Sequence, residues 1–308
     1  MPNKNDIKRK ISPHKDPASG KIIPGVPAPN VAVNFMSMLS EYTDRNVICY
    51  YSSFPADDYG YSSMVNEWDI SGFMKAMVGL DPSKGLDLIL QTPGGVPTAA
   101  EGIVEYLQEE FKGDIRVIVP LAAFSAGTLI SCAAKTIVLG SHSFLGPVDP
   151  QLGPNACFNI IKEFDMARSD IMANPDARGY WDIRLKDYRS GIYMICQDAV
   201  ALGDQLLNKW LHEYMFAGET DKEVDNKIRR IYRKLNSNNS AHGRHFGYQF
   251  CKDLGLKVQK LEEDPKMQDL VMGIHHAMEF AVSENRLAKF IINQNGEHYA
   301  LVGSREEE

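Results

Sequence analysis

Short apolar runs alternate with amphipathic stretches through the first half of the chain. Residues 31–42 space their apolar side chains as a short amphipathic helix, and 46–51 (NVICYY) reads as a strand. A polar stretch containing Gly and Ser follows. Residues 69–77 then predict a helix, closed by Gly79 and the turn residues Asp81-Pro82-Ser83-Lys84-Gly85. The run LDLILQ at 86–91 is broken only by Asp87, the pattern of a strand covered on both faces. It stops abruptly at Thr92-Pro93-Gly94-Gly95. Thr98 and Glu101 stand at capping-box spacing, and Ile103, Val104, Leu107 and Phe111 give the next helix an apolar stripe that ends at Gly113. Residues 115–119 predict a second buried strand, 125–134 a helix of small residues, and 136–139 a third strand. This is the rhythm of repeated parallel β-α units, an α/β fold whose sheet needs helices on both faces.

Beyond Gly153 the pattern turns mainly helical. Leu206, Leu207, Trp210, Leu211 and Tyr214 lie at helical spacing within 199–216. Thr220 and Glu223 cap a further helix carrying Val224, Ile228, Ile231 and Leu235, and 236–240 (NSNNS) is a loop. Helices are expected again at 246–254 and 267–282. The organisation this predicts is a flexible N-terminal arm at 1–30, one core domain at 31–260, and a C-terminal helical extension with an acidic tail at 261–308.

Composition narrows the function. The 308 residues are 44% hydrophobic and 24% charged, which excludes bulk disorder. With 33 Lys+Arg against 40 Asp+Glu the net charge is −7, against the basic balance of a nucleic-acid binder; 227–234 is the one dense basic stretch. Five scattered cysteines without a CxxC pair suggest a reduced, cytoplasmic chain rather than a zinc ribbon or disulfide scaffold. The first residues lack the apolar h-region of a signal peptide. Residues 117–134 carry no charge, yet Pro120, Ser125, Gly127, Thr128 and Ser131 interrupt them, so a buried strand–turn–helix is expected rather than an integral membrane segment. No P-loop or dinucleotide fingerprint is present, and no cofactor is expected. His242 and His245 form an i, i+3 pair with His275 and His276 downstream. No carboxylate or cysteine completes a metal set at diagnostic spacing, so no metal is expected either.

Two turns carry candidate chemistry. In Gln91-Thr92-Pro93-Gly94-Gly95, glycines directly after a strand permit close approach of a ligand, and the backbone N–H groups there could hold an oxyanion. In Ala123-Phe124-Ser125-Ala126-Gly127, a serine among small residues stands between a strand and a helix, the setting of an exposed nucleophile or of a simple N-cap. Gly95 and Ser125 are 30 positions apart.

Taken in order, LDLILQTPGG at 86–95, TAAEGIVEYL at 98–107, FSAGTLI at 124–130 and LGPVDPQLG at 145–153 resemble the ClpP/crotonase superfamily. Within it they are most similar to the serine dehydrogenase proteinases, relatives of signal peptide peptidase A. His242, followed by KDLGL at 252–256, resembles a downstream block of the same group. The resemblance implies a ClpP/crotonase-like core, with 31–260 as the protease domain and a helical C-terminal half. It implies peptide-bond hydrolysis of flexible or unfolded polypeptide through a Ser125 acyl-enzyme, with an oxyanion hole from the N–H groups of Gly94 or Gly95 and of Ala126. It also implies assembly into a homo-oligomer. A ClpP-type histidine about 25 residues after the serine is absent, since Val148-Asp149-Pro150 stands there. Two bases stay open: Lys186, as in lysine-dependent relatives, and His242, which with Asp149 would complete a Ser–His–Asp set. The competing expectations are an inactive protease-fold binding or scaffold module and a crotonase-like acyl-CoA enzyme. An α/β-hydrolase fits less well, because the serine lies in A-x-S-x-G rather than G-x-S-x-G.

Overall fold

Strands β1 (Asn46–Ser52), β2 (Leu86–Gln91), β3 (Ile115–Val119), β4 (Thr136–Leu139) and β5 (Val258–Lys260) run parallel in the spatial order β5-β4-β3-β2-β1. Beyond β1 the sheet continues antiparallel with β6 (Leu287–Asn293) and β7 (His298–Val302). The structure is a computed structural model and describes residues 3–15, 20–55, 59–153, 155–219, 222–236 and 244–303.

Side-chain alternation sends each strand into two cores. Ile48 and Tyr50 of β1 and Leu86, Leu88 and Leu90 of β2 face one side, with α3 (Asp69–Ala76), α4 (Pro97–Phe111) and α5 (Ala126–Cys132). Val47, Cys49 and Tyr51 of β1 and Ile89 of β2 face the other, under α1 (Lys4–Ile11), α2 (Ala28–Thr43) and α11 (Pro265–Glu284). The expected two-sided cover is therefore present. Asp87, the one charge in the β2 run, is fully buried at the amino end of the sheet. Arg45 reaches it at 2.8 Å and Arg116 at 2.6 Å, the pairing a buried carboxylate requires.

The first core is completed by α8 (Ile192–Trp210), α9 (Lys222–Asn236) and α10 (Tyr248–Leu254). Apart from that core, α6 (Cys157–Ala173) and α7 (Arg178–Leu185) build an arm with the start of α8 around the small cluster Cys157, Ile160, Ile192 and Cys196. All five cysteines are free and buried. Among the described residues no helix is long and apolar enough to cross a membrane, and 117–134 is the strand–turn–helix its composition suggested.

Four expectations are revised. The N-terminal arm is not featureless: an Asn3/Asp6 capping box starts α1, and Ile7 is fully buried beneath the α2/α11 layer. The helix after the glycine turn begins at Pro97 with Val96 as N-cap and no side-chain cap, because proline at the first position already supplies helical φ; Thr98 and Glu101 lie inside it. The helix expected at 246–254 begins at Tyr248, since Phe246 bonds as strand to Leu145. The C-terminal segment is not merely helical, because β6 and β7 join the central sheet. Thr220, expected as a cap, lies outside the described residues.

Candidate active site

The carboxyl ends of β2 and β3 bring the two turns to the same end of the sheet, where open α/β sheets bind their ligands. The Thr92 N–H donates to the Ala122 carbonyl (3.0 Å) and the Phe124 N–H to the Thr92 carbonyl (3.1 Å), joining one turn to the other as a short parallel bridge. Residues 122–123 pair on their far side with 144–145. The Thr128 hydroxyl lies 2.9 Å from the Ala123 carbonyl and 3.0 Å from that of Gly146, and accepts the Gly146 N–H at 3.0 Å. One buried hydroxyl thus fixes the start of α5 against both neighbouring segments.

Ser125 occupies the N-cap position of α5 with φ +49° and ψ −113°, a conformation unfavourable for any residue with a side chain. Its side chain makes no capping hydrogen bond. The simple N-cap role is therefore not what this serine performs. Gly94 faces it at φ +99°: a β-carbon there would fall 2.5 Å from the Phe124 carbonyl oxygen and 2.7 Å from the Ser125 Cβ, so only glycine fits. Gly95, at φ +154°, is pressed against Val65, whose N–H donates to the Gly94 carbonyl (2.8 Å) and whose carbonyl accepts the Val96 N–H (2.9 Å). The strand edge on that side of the turn is thus occupied by the chain itself.

The backbone donors divide cleanly. The Gly94 N–H donates to Thr92 Oγ1 (3.1 Å), and the Gly127 N–H to the Phe124 carbonyl (2.7 Å). The N–H groups of Gly95 and Ala126 have no hydrogen-bond partner among the described residues; that of Ala126 is in the first turn of α5, where a helix offers none. Two such donors beside an uncapped serine hydroxyl can receive an oxyanion.

Beneath the glycine turn lies a buried ion pair the sequence did not suggest. Lys289 of β6, fully buried, reaches Asp69 Oδ1 at 2.6 Å and the Met64 carbonyl at 2.5 Å. Asp69 Oδ2 accepts the Tyr50 hydroxyl (2.8 Å) and the Asn66 N–H (3.0 Å). Burial pushes the Asp69 carboxyl up and the Lys289 amine down, each against the pull of its partner's charge. Between Met64 and Asn66 stands Val65, the residue bonded to Gly94 and Val96. The buried pair therefore ties β6 to the segment 64–66 that braces the glycine turn.

The remaining sequence candidates are placed as follows. Asp149 is buried, and its carboxylate accepts Gln151 Nε2 at 2.8 Å. Lys186 follows α7, is exposed, and lines a cavity of about 530 Å³ with Asn155, Glu163, Ile183, Arg184, Asp187 and Tyr188, none of them from the two turns. It lacks the burial that makes a lysine a base near neutrality. His242 lies outside the described residues. The segments flanking it are fixed: the Val148 N–H donates to Leu235 near the end of α9 (2.8 Å), and Phe246 exchanges hydrogen bonds with Leu145 (2.8 and 3.0 Å). The His245 ring meets Phe124 and Phe144 edge-on, each with centroids 5.1 Å away. Among the described residues, the one group of three His, Cys, Asp or Glu side chains close enough to share a metal lies on α11, away from the sequence positions of both turns.

The two turns thus set an uncapped serine beside unpartnered backbone donors on a ClpP-like α/β core. A family model described as ClpP-like SDH-type serine proteinase matches residues 68–175, the segment that holds both turns, and bears out the resemblance drawn from the sequence. Two uncharacterized proteins of Methanocaldococcus jannaschii are similar to the chain. One is 33% identical over 166 residues, 51% of this chain and 57% of the relative; the other is 30% identical over 175 residues, 56% of this chain and 51% of the relative. The matched region spans little more than half the length of these curated relatives.

Proposed function

We propose that the chain is a serine peptidase that hydrolyses flexible or unfolded polypeptide through a Ser125 acyl-enzyme. The observation that carries this reading is the strained, uncapped Ser125 set against Gly94, with the Gly95 and Ala126 N–H groups left without partners. Oγ attacks the scissile carbonyl as its proton passes to the base. The carbonyl oxygen becomes an oxyanion between the two N–H groups, a stabilisation worth about 2.7–4 kcal/mol per donor. Collapse expels the amine, which takes up the proton held by the base, and water then releases the acyl group by the same route.

The base in this proposal is His242, oriented by Asp149. Support comes from the flanks of its segment: Leu235 is bonded to the neighbour of Asp149, and His245 packs on the neighbour of Ser125. Lys186, exposed and lining a cavity to which neither turn contributes, is the weaker candidate. Five free, buried cysteines support a reducing, cytoplasmic setting. The α6–α8 arm exposes Met166, Met172, Tyr180, Ile183 and Met194, apolar surface that supports self-association.

The test is digestion of casein, read by mass spectrometry, by wild type and by Ser125→Ala, with the variant's fold checked by circular dichroism. Cleavage by wild type alone is the expected result. Equal cleavage by a folded Ser125→Ala would overturn the assignment of the nucleophile, and no cleavage by wild type of casein or of a peptide library would favour a binding module.

A further inference from the structure

On the face of the sheet opposite α5, helix α11 carries the sequence His275-His276-Ala277-Met278-Glu279. Glu279 stands three residues after one histidine and four after the other, the spacings that bring side chains together on a helix. The nitrogen and oxygen donor atoms of the three residues lie within 4.8 Å of one another. His275 is buried, and its Nδ1 is 3.0 Å from the Tyr51 hydroxyl of β1. The side chains of His276 and Glu279 are 15% and 29% exposed, so the cluster opens to solvent on their side. His276 Nδ1 is itself buried and has no hydrogen-bond partner.

We propose that His275, His276 and Glu279 form a binding site for a divalent transition-metal ion of the zinc type, separate from the serine site. Two imidazoles and a carboxylate are a donor set that suits such an ion, with a fourth position left for water. Tyr51 occupies one nitrogen of His275, orienting the ring and leaving Nε2 for the metal, the task an outer-shell partner performs. His276 Nδ1 lies 3.8 Å from Glu279 Oε2, beyond hydrogen-bond reach, so an ion held between them would satisfy a buried nitrogen whose hydrogen bond is otherwise unmade. Bonds of about 2.0–2.1 Å in a tetrahedron set donors about 3.3 Å apart, so side-chain rotations of modest size close the cluster.

One further feature agrees with a cation site. Lys4 of α1 places its ammonium in a very short hydrogen bond with Glu279 Oε1, so the position already holds a positive charge supplied by the chain. The expected behaviour is exchange: a bound metal displaces Lys4, and α1 loses that anchor on α11.

The experiment is titration of untagged, chelator-treated full-length protein with Zn²⁺ by calorimetry and with Co²⁺ by visible absorption. One equivalent should bind, with the d–d bands of a four- or five-coordinate cobalt site. Glu279→Gln and His276→Ala should each weaken binding by about ten-fold or more. Lys4→Met leaves every ligand in place and should tighten binding, while Ser125→Ala should leave it unchanged. Absence of a stoichiometric site in wild type overturns the proposal whatever the variants do. Binding that survives in folded Glu279→Gln and His276→Ala, or that is lost in Ser125→Ala, overturns it as well.

Discussion

Gly94 and Ser125 meet across the gap between the two turns so closely that a β-carbon on residue 94 would stand 2.7 Å from that of the serine. The contact ties the proposed oxyanion side of the site to the proposed nucleophile side without any side-chain bond. Gly94→Ala must therefore either push the serine away or abandon φ +99°. The strain is about 1–3 kcal/mol, whereas loss of donor alignment should lower kcat by about 10²–10³-fold. Kinetics beside thermal melts check this. A variant that loses stability and keeps its kcat would separate the contact from the chemistry.

The base is decided by two single substitutions. His242→Ala should reduce kcat by about 10⁴-fold or more, as removal of a triad histidine does. Lys186→Ala should stay within about two-fold, since this lysine is exposed and shares its cavity with Glu163 and Asp187. The pH–rate profile should rise through the ordinary histidine range, near pH 6–7. An alkaline optimum together with a dead Lys186→Ala enzyme would reverse the assignment.

Lys289→Met leaves the Asp69 carboxylate buried without its cation, which should cost about 3–5 kcal/mol in denaturant unfolding. The double variant Lys289→Met/Asp69→Asn removes both charges and should recover part of that loss. If the two substitutions simply add, the pair is not coupled in the way its 2.6 Å separation implies.

His212 gives a signed pH dependence. Its Nε2 lies 3.0 Å from Asp225 Oδ1 and its Nδ1 3.0 Å from the Asn208 carbonyl, and the bond to Asp225 raises its pKa above the ordinary 6.5. The folded state then holds this proton more tightly than the unfolded chain. The stabilisation is complete below pH 6.5 and fades as pH rises through the folded value. His212→Asn should remove that alkaline fade from the stability profile, and NMR titration of the ring protons should show the raised midpoint. A midpoint at or below 6.5 would contradict the bond.

The parallel core and both turns were legible because β2 and β3 are apolar runs that end at TPGG and at a serine between small residues. Strand β6 was not legible. Lys289 sits in the middle of LAKFIIN and reads as a solvent-facing charge until Asp69, 220 positions earlier, is found beside it. Helix α1 was hidden for the opposite reason, since KNDIKRKI offers only Ile7 and Ile11 to a core and its start depends on a capping box at Asn3 and Asp6. The division of N–H donors between Gly94 and Gly95 also escaped the sequence, because it depends on which way the Thr92 hydroxyl turns. The α11 cluster was missed because Glu279 was not counted with the histidine pair, although i+3 and i+4 are the spacings a helix rewards.

The position of β6 has a consequence for the order in which the molecule is made. A polypeptide is synthesised from its amino end, so the serine, both turns and four of the five parallel strands exist well before the strand that carries Lys289. Until that strand docks beside β1, Asp69 has no cation and the segment 64–66 that is bonded to Gly94 lacks its buried anchor. The glycine turn is thereby among the last features of the fold to gain its full support. On the proposed function, a growing chain carries Ser125 past other nascent polypeptides before the scaffold that would arm it is complete.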